Sequence, residues 1–414
     1  MPKTNLKFII VALTILIIGS ATQAKADKVT DWNAVASQVL LNTGRGNANG
    51  VIDMAYVHIA IYDAVNAIDG EPYSVFAVRP TSVPPGASAE AATVEAAYRV
   101  LIDRFPTQSI YLNNQYSASL ATIPDGQSKT DGMAVGYEVA ALFLASRAGD
   151  GWNDATVTIP LHSGPGWWVP TAITPPVVQW GAVMRPFAIE SPDQFRADPP
   201  PALTSDEYAA DYNETKRLGS ATSTDRTSDQ TLQARFFTEP AVPQFTAAIR
   251  QLSMDRGLTL SENARLFAMV HVSSADACIG GLESKYHYQF WRPVTAIRNG
   301  DTDDNPNTEA DPNWTPLAAT PNHPEYPSAH AFVTGSVTEV LRQFFGTKKL
   351  EVTLHSNVTG TDMKFANIDE WTKVVDNARI YAGYHYRTSC VRGGILGSKT
   401  AKYVTRNYFQ PAEK

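Results

Sequence analysis

The sequence predicts a mainly α fold, one or more helical bundles joined by long ordered loops. Three observations predict it. Apolar residues recur at the helical period in many separate stretches. Neither alternating strand patterns nor repeated strand–helix–strand units run through the chain, and no fixed-period repeat appears. Long segments rich in proline and tryptophan separate the helical stretches. Across 414 residues, 43% hydrophobic and 18% charged content suits a packed core and excludes a disordered chain or a coiled coil.

The elements follow in chain order. Lys3 and Lys7 precede an apolar run over 8–18, and small residues lead to Ala24-Lys25-Ala26. A basic start, a short apolar core and an Ala-x-Ala end describe a secretory signal peptide over 1–26, and hence a periplasmic or secreted protein. Residues 27–414 then read as a single α-helical domain: N-terminal helices over 31–150, a loop-rich segment over 151–203 and C-terminal helices carrying the chemistry over 204–410. Helical periodicity covers 52–68, which is apolar almost all round, then 88–104 with Ser88 as N-cap, and 132–147. It returns over 205–218, 243–254, 261–277 with a start at Ser261-Glu262-Asn263, 328–345, 368–382 and 386–407.

Two stretches break the pattern. Residues 160–201 hold ten prolines together with Trp167, Trp168 and Trp180. Proline forbids helix interiors, and tryptophan favours burial, so an ordered extended strap on the bundle is expected. It either packs on the surface or walls a pocket. Residues 299–327, rich in Asp, Asn and Pro, form the second.

Loss of Lys3, Lys7 and Lys25 with the leader takes the net charge from −7 to −10. That acidity argues against nucleic acid as a partner and makes any local cluster of Arg and Lys informative. After the leader no stretch reaches the ~18 consecutive apolar residues of a spanning helix, so no stable membrane span is expected. Cys278 and Cys390 are the two cysteines; a bridge between them stays open, and no CxxC points to zinc.

Three segments carry chemistry. In Lys285-Tyr-His-Tyr-Gln-Phe-Trp-Arg292-Pro293 the two cations lie seven apart, two helical turns, on one face of a helix that Pro293 ends. In His323-Pro-Glu-Tyr-Pro327-Ser328-Ala329-His330 a helix opens, and free N–H groups at a helix start attract an anion. In Ala378-Arg379-Ile-Tyr-Ala-Gly383-Tyr-His385, Gly383 lets the chain turn, so His385 stands near the start of the next helix. Each segment alone has an ordinary structural explanation: a solvated face, an N-cap, a core histidine. Together they supply three cations, a hydroxyl, two imidazoles and a helix N-terminus, a complete set for a tetrahedral oxyanion.

These segments resemble the three-part signature of the vanadium-dependent haloperoxidases and the type 2 phosphatidic acid phosphatase (PAP2) superfamily: Lys-x6-Arg-Pro, Pro-Ser-Gly-His and Ser-Arg-x5-His-x3-Asp. Lys285, Arg292 and Pro293 match the first part, and Pro327, Ser328 and His330 the second, with Ala329 for glycine. Arg379 and His385 match the third, with Ala378 for serine and Ser389 for aspartate. The signature spans 285–389, and Tyr62-Asp63-Ala64-Val65-Asn66 looks like the bacterial haloperoxidase-like branch. The resemblance implies a helical bundle of the haloperoxidase and acid phosphatase type. It implies vanadate as cofactor, with phosphate able to occupy the same site. Lys285, Arg292 and Arg379 would neutralise its oxygens, and Ser328 and the Ala329 N–H would donate to it. His385 would bond vanadium and His330 would serve as acid–base group. The acid missing at 389 would orient the essential histidine; Asp276 and Asp376 are the candidates to replace it.

The same pocket serves two chemistries. Chain length, the aromatic neighbourhood (Tyr286, Tyr288, Trp291, Tyr326) and His323, which stands where bromoperoxidases also carry histidine, favour oxidation of bromide or iodide by hydrogen peroxide. The alternative is an exported acid phosphatase acting on a phosphomonoester, with His385 as nucleophile and His330 protonating the leaving group. A non-catalytic anion binder is the third. All three imply small-molecule partners and leave a homo-oligomer open.

Overall fold

The computed structural model describes residues 26–45, 48–174 and 176–412. The leader read at 1–26 lies, but for its last residue, outside the described residues. The chain is helical, as the periodicity predicts, with one two-stranded sheet among the described residues.

Helix α1 (Lys28–Asn42) opens on a capping box in which Asp27 and Thr30 satisfy each other's backbone N–H. Helix α2 (Ala48–Ile68) is buried along nearly its whole length, as its all-round apolar face requires. It is long and apolar enough to cross a membrane, but 94% of its most apolar window is buried inside the protein. Helices α3 (Ala89–Arg104) and α5 (Gln127–Ser146) pack beside it, α4 (Ser109–Ala121) packs on α3, and Ser88 caps α3 as expected. Asp63 of α2 accepts three backbone N–H groups, from Phe76, Ala77 and Val78, at 2.8–3.0 Å. Asn66 exchanges two hydrogen bonds with the backbone of Tyr73. Asp63 and Asn66 therefore hold the loop that follows this helix.

From 147 to 205 the described residues contain no α-helix. The proline-rich strap is ordered by its tryptophans, since Trp168 and Trp180 are buried, and by α9 (Leu260–Tyr288), whose Asp276 accepts N–H bonds from Phe187, Ala188 and Ile189 at 2.7–2.9 Å. Helices α6 (Asp206–Gly219), α7 (Ser228–Phe236) and α8 (Ala241–Asp255) precede α9. At 29 residues α9 is about 43 Å long. It begins with a capping box between Thr259 and Glu262, two residues before the start read at Ser261.

The short α10 (Pro293–Arg298) follows, then α11 (Ala329–Phe345), the antiparallel hairpin β1 (Val352–Ser356) and β2 (Thr361–Phe365), α12 (Ile368–Tyr381) and α13 (Arg387–Asn407). In the hairpin Val352 pairs with Phe365 and Ser356 with Thr361. Helices α11 and α13 pack against each other and both pack on α9. Their approach is close enough that a Cβ on Gly397 would lie 2.0 Å from the Phe332 carbonyl oxygen.

Candidate functional site

The first and third chemical segments sit where one helix ends and another begins, and the second opens α11 after a long loop. The first departs from expectation. Lys285 and Arg292 do not share a helical face: α9 ends at Tyr288, and Gln289 turns the chain with φ 43°. Arg292 is the N-cap of α10, and Pro293 starts that helix rather than ending the previous one. Proline is well suited to a first helical position, where no N–H is needed. The other two segments fold as read. Ser328 is the N-cap of α11, and its side chain makes no capping bond. Gly383, at φ 75°, takes the chain from α12 toward α13, and a Cβ there would lie 2.7 Å from the Gly219 carbonyl oxygen. His385 lies just before the Tyr386 N-cap.

These turns bring the predicted residues together in the interior. Lys285 Nζ donates to the carbonyl oxygens of Pro324 (2.9 Å) and Glu325 (2.8 Å). The Arg292 guanidinium donates to the carbonyls of His323 and Tyr384, both at 3.0 Å. It also lies 3.2 Å from His385 Nε2 and 3.1 Å from His323 Nδ1. Arg379 donates to the Phe237 carbonyl and lies over the Tyr384 ring, 4.7 Å from its centroid. His330 Nε2 is 3.4 Å from the Glu239 carbonyl oxygen. Ser328 Oγ and Arg379 Nε are among the buried polar atoms without a hydrogen-bond partner.

A cavity of about 320 Å³ opens onto this cluster. Its polar end is formed by His323, Ala329, His330, Arg379 and His385, and its other walls are largely apolar, with Leu282, Phe332 and Val333 among them. The strap contributes Val177 and Val178, so it walls the pocket as well as packing on the bundle. Lys285, Arg292 and Ser328 are fully buried and do not line the cavity themselves. Arg292 acts on it through His323 and His385, which do. Both cysteines are free thiols: Cys278 lines the cavity, and Cys390 is buried.

Burial dominates the electrostatics, and the crowded cations add to it. Burial, then Arg292, Lys285 and Arg379, hold His385 well below the ordinary histidine range. His323 is lowered by burial and by the same three cations, and His330 by burial and Arg379. Lys285 is itself lowered, by burial and then by Arg292. Arg292 is lowered to about 10, chiefly by burial.

One residue of the site was not anticipated. Glu325, fully buried, accepts from His385 Nδ1 at 2.8 Å and from the Tyr386 backbone N–H at 3.2 Å. Burial raises its carboxyl to about 7, against the pull of Lys285 and Arg292. The Ser389 hydroxyl also opposes that rise, yet neither it nor Glu325 Oε2 is in hydrogen-bond geometry with a partner. Glu325 therefore stands where Asp276 or Asp376 was expected. Asp276 is occupied by the strap's backbone at 187–189. Asp376 lies on α12, where burial raises it to about 7 and Arg387 opposes that rise. An acid between His323 and Ser328, in a loop with Tyr326 and two prolines, was the available signal.

The chain is similar to known proteins in sequence and in fold. Residues 265–413 match the family model described as the VCPO second helical-bundle domain. The chain is 29% identical over 199 residues to the vanadium chloroperoxidase of Curvularia inaequalis, a match covering 40% of this chain and spanning about a third, 32%, of that relative. In fold it is similar to the first bacterial vanadium-dependent iodoperoxidase, with TM-score 0.74, 21% identity and coverage of 94% of this chain and 97% of that one. It is also similar to a holo-type bacterial vanadium-dependent chloroperoxidase, with TM-score 0.67, 17% identity and 94% coverage of each chain. The family model covers all three site-bearing segments, and the fold of the chain is the helical fold of the vanadium-dependent haloperoxidases.

Proposed function

We propose that this protein is an exported, vanadate-dependent haloperoxidase that oxidises bromide or iodide with hydrogen peroxide. One observation carries the proposal. Glu325 accepts at Nδ1 of His385, which leaves Nε2 of a neutral imidazole as the acceptor nitrogen, 3.2 Å from Arg292, on a ring that lines the cavity beside Arg379. A metal-binding histidine needs this arrangement, one nitrogen fixed by a carboxylate and the other unprotonated.

The residues fit a vanadate ion. Lys285, Arg292 and Arg379 bring three positive charges against one carboxylate, an excess that a doubly charged oxyanion balances. Ser328 Oγ and Arg379 Nε are buried donors without protein acceptors, and the Ala329 N–H, at the first turn of α11, has no acceptor within the helix. Phosphate satisfies the same donors. Vanadate, when bound, supplies a Lewis-acidic centre that activates peroxide toward halide without a redox change of its own.

The protein's part is positional. His385 would hold the ion through Nε2, and one guanidinium, that of Arg292, contacts both the His385 and the His323 rings. Lys285 spends two of its three donors on the Pro324 and Glu325 carbonyls, leaving one for an oxygen of the bound ion. His330 holds or gives up the proton at the cavity wall, and His323 meets the halide. The apolar walls keep bulk water from the reacting atoms. The basic and apolar leader over 1–26 supports export.

The test is a paired assay on one preparation: iodide and bromide oxidation with vanadate and peroxide, and phosphomonoester hydrolysis without vanadate. Vanadate-dependent halide oxidation is expected. Hydrolysis without halide oxidation would instead assign the pocket to a phosphatase with a histidine nucleophile.

A further inference from the structure

We infer that Glu325 is the positioning residue for His385, and that the acid of this site has moved from the start of α13, where Ser389 now stands, to the loop ahead of α11. The inference rests on the proposed role of His385 as the ion-holding residue.

The geometry is specific. Glu325 Oε1 takes both the His385 Nδ1 hydrogen bond, at 2.8 Å, and the Tyr386 backbone N–H, at 3.2 Å. It therefore fixes the ring and the chain that carries the ring together. The Glu325 backbone is itself tied down: its N–H donates to the Phe290 carbonyl at 3.0 Å, and its own carbonyl accepts from Lys285. One loop residue thus joins all three chemical segments: Lys285 through its carbonyl, His385 through its carboxylate, and Ser328 three residues along the chain.

Position 389 explains why the acid could move. Ser389 is fully buried, its carbonyl accepts the Ser328 N–H at 3.1 Å, and its chain neighbourhood begins at Tyr386, whose N–H Glu325 accepts at 3.2 Å. A carboxylate there would stand against the Glu325 carboxylate in a buried volume, where like charges repel strongly. Acid at 325 and a small neutral side chain at 389 are therefore one coupled choice. The site needs one carboxylate behind His385, and either position can supply it. The histidine's tautomer and orientation follow from the carboxylate, as they do in carboxylate–histidine–metal arrangements generally.

The test uses the full chain with Glu325→Ala, Glu325→Gln and the relocation pair Glu325→Ala with Ser389→Asp. Vanadate and phosphate binding are measured by calorimetry. The His385 tautomer is read from ¹⁵N shifts of histidine-labelled protein without added ion. We expect the wild-type ring to carry its proton on Nδ1. Glu325→Ala should lose that preference and bind vanadate about 10–100-fold more weakly, and the relocation pair should regain both at least in part. Should Glu325→Ala not fold, the isosteric Glu325→Gln decides, with weaker vanadate binding expected at unchanged melting temperature. A folded Glu325→Ala or Glu325→Gln variant with wild-type tautomer and wild-type vanadate affinity would overturn the inference. So would a relocation pair no better than Glu325→Ala. The tautomer readout needs no vanadate, so a protein that binds none would refute the proposed function while still testing Glu325.

Discussion

Arg292 lies 3.2 Å from His385 Nε2, the ring nitrogen that Glu325 leaves free. Its other donors go to the backbone of His323 and Tyr384, so one planar group fixes both the histidine and the loop opposite. Arg292→Lys keeps the charge but loses the fork. It should weaken phosphate binding at least tenfold, about 1.4 kcal/mol, as calorimetry would show. Unchanged affinity would mean that the charge alone matters.

His323 lines the cavity yet supplies no fixed bond to His385, so its contribution should fall on turnover rather than on the ion. His323→Ala should lower kcat/KM for bromide by about two orders of magnitude if the ring handles a proton in the reaction. Phosphate affinity should change little. Steady-state kinetics alongside calorimetry separates the two; equal losses in both would make His323 a support for Arg292 instead.

Asp63 anchors the loop that follows α2. Its carboxylate holds three N–H groups of the loop at 76–78, so Asp63→Ala should cost about 3 kcal/mol by leaving buried donors unsatisfied. Burial raises its folded pKa from 3.8 to about 6. The native state therefore binds this proton more tightly than the unfolded chain. The stability it contributes is complete below pH 3.8 and is lost as pH rises through 6. Thermal melts at pH 4.5 and 7.5 should show a larger wild-type advantage over Asp63→Asn at the lower pH. The opposite order would mean that the three N–H bonds outweigh burial.

The contact of α11 with α13 sets Ser328 beside Ser389, whose carbonyl accepts the Ser328 N–H. Gly397→Ala would drive a methyl group to within 2.0 Å of the Phe332 carbonyl oxygen, whereas Gly394 has nothing within 4 Å of a Cβ. Gly397→Ala should cost about 1–3 kcal/mol or more through overpacking and weaken ion binding. Gly394→Ala should leave both unchanged or add about 1 kcal/mol from helix propensity. Denaturant unfolding of the pair checks this.

The helices legible in the sequence were those whose apolar period is strong, such as α2, α9, α11 and α13. Helices α4 and α7 are mostly solvated, and with few buried residues they carry no apolar stripe to read. The hairpin β1–β2 is five residues a side, too short to distinguish from a loop by alternation. At the site, residue types and spacings pointed to the six residues brought together here. Their backbone setting did not follow from spacing. The seven residues from Lys285 to Arg292 suggest two turns of one helix, but Gln289 in a left-handed conformation breaks it, and nothing in its side chain announces that. Glu325 escaped because an acid's partner is set by tertiary contact, and sequence distance favoured Asp376, three residues from Arg379.

The most direct measurement is a calorimetric titration of vanadate into the metal-free protein and into His385→Ala. Binding of one ion per chain, lost or weakened at least tenfold in a folded His385→Ala variant, is the predicted result. Equal vanadate binding by wild type and His385→Ala would contradict the account, since Nε2 of His385 would then not be the atom that holds the ion.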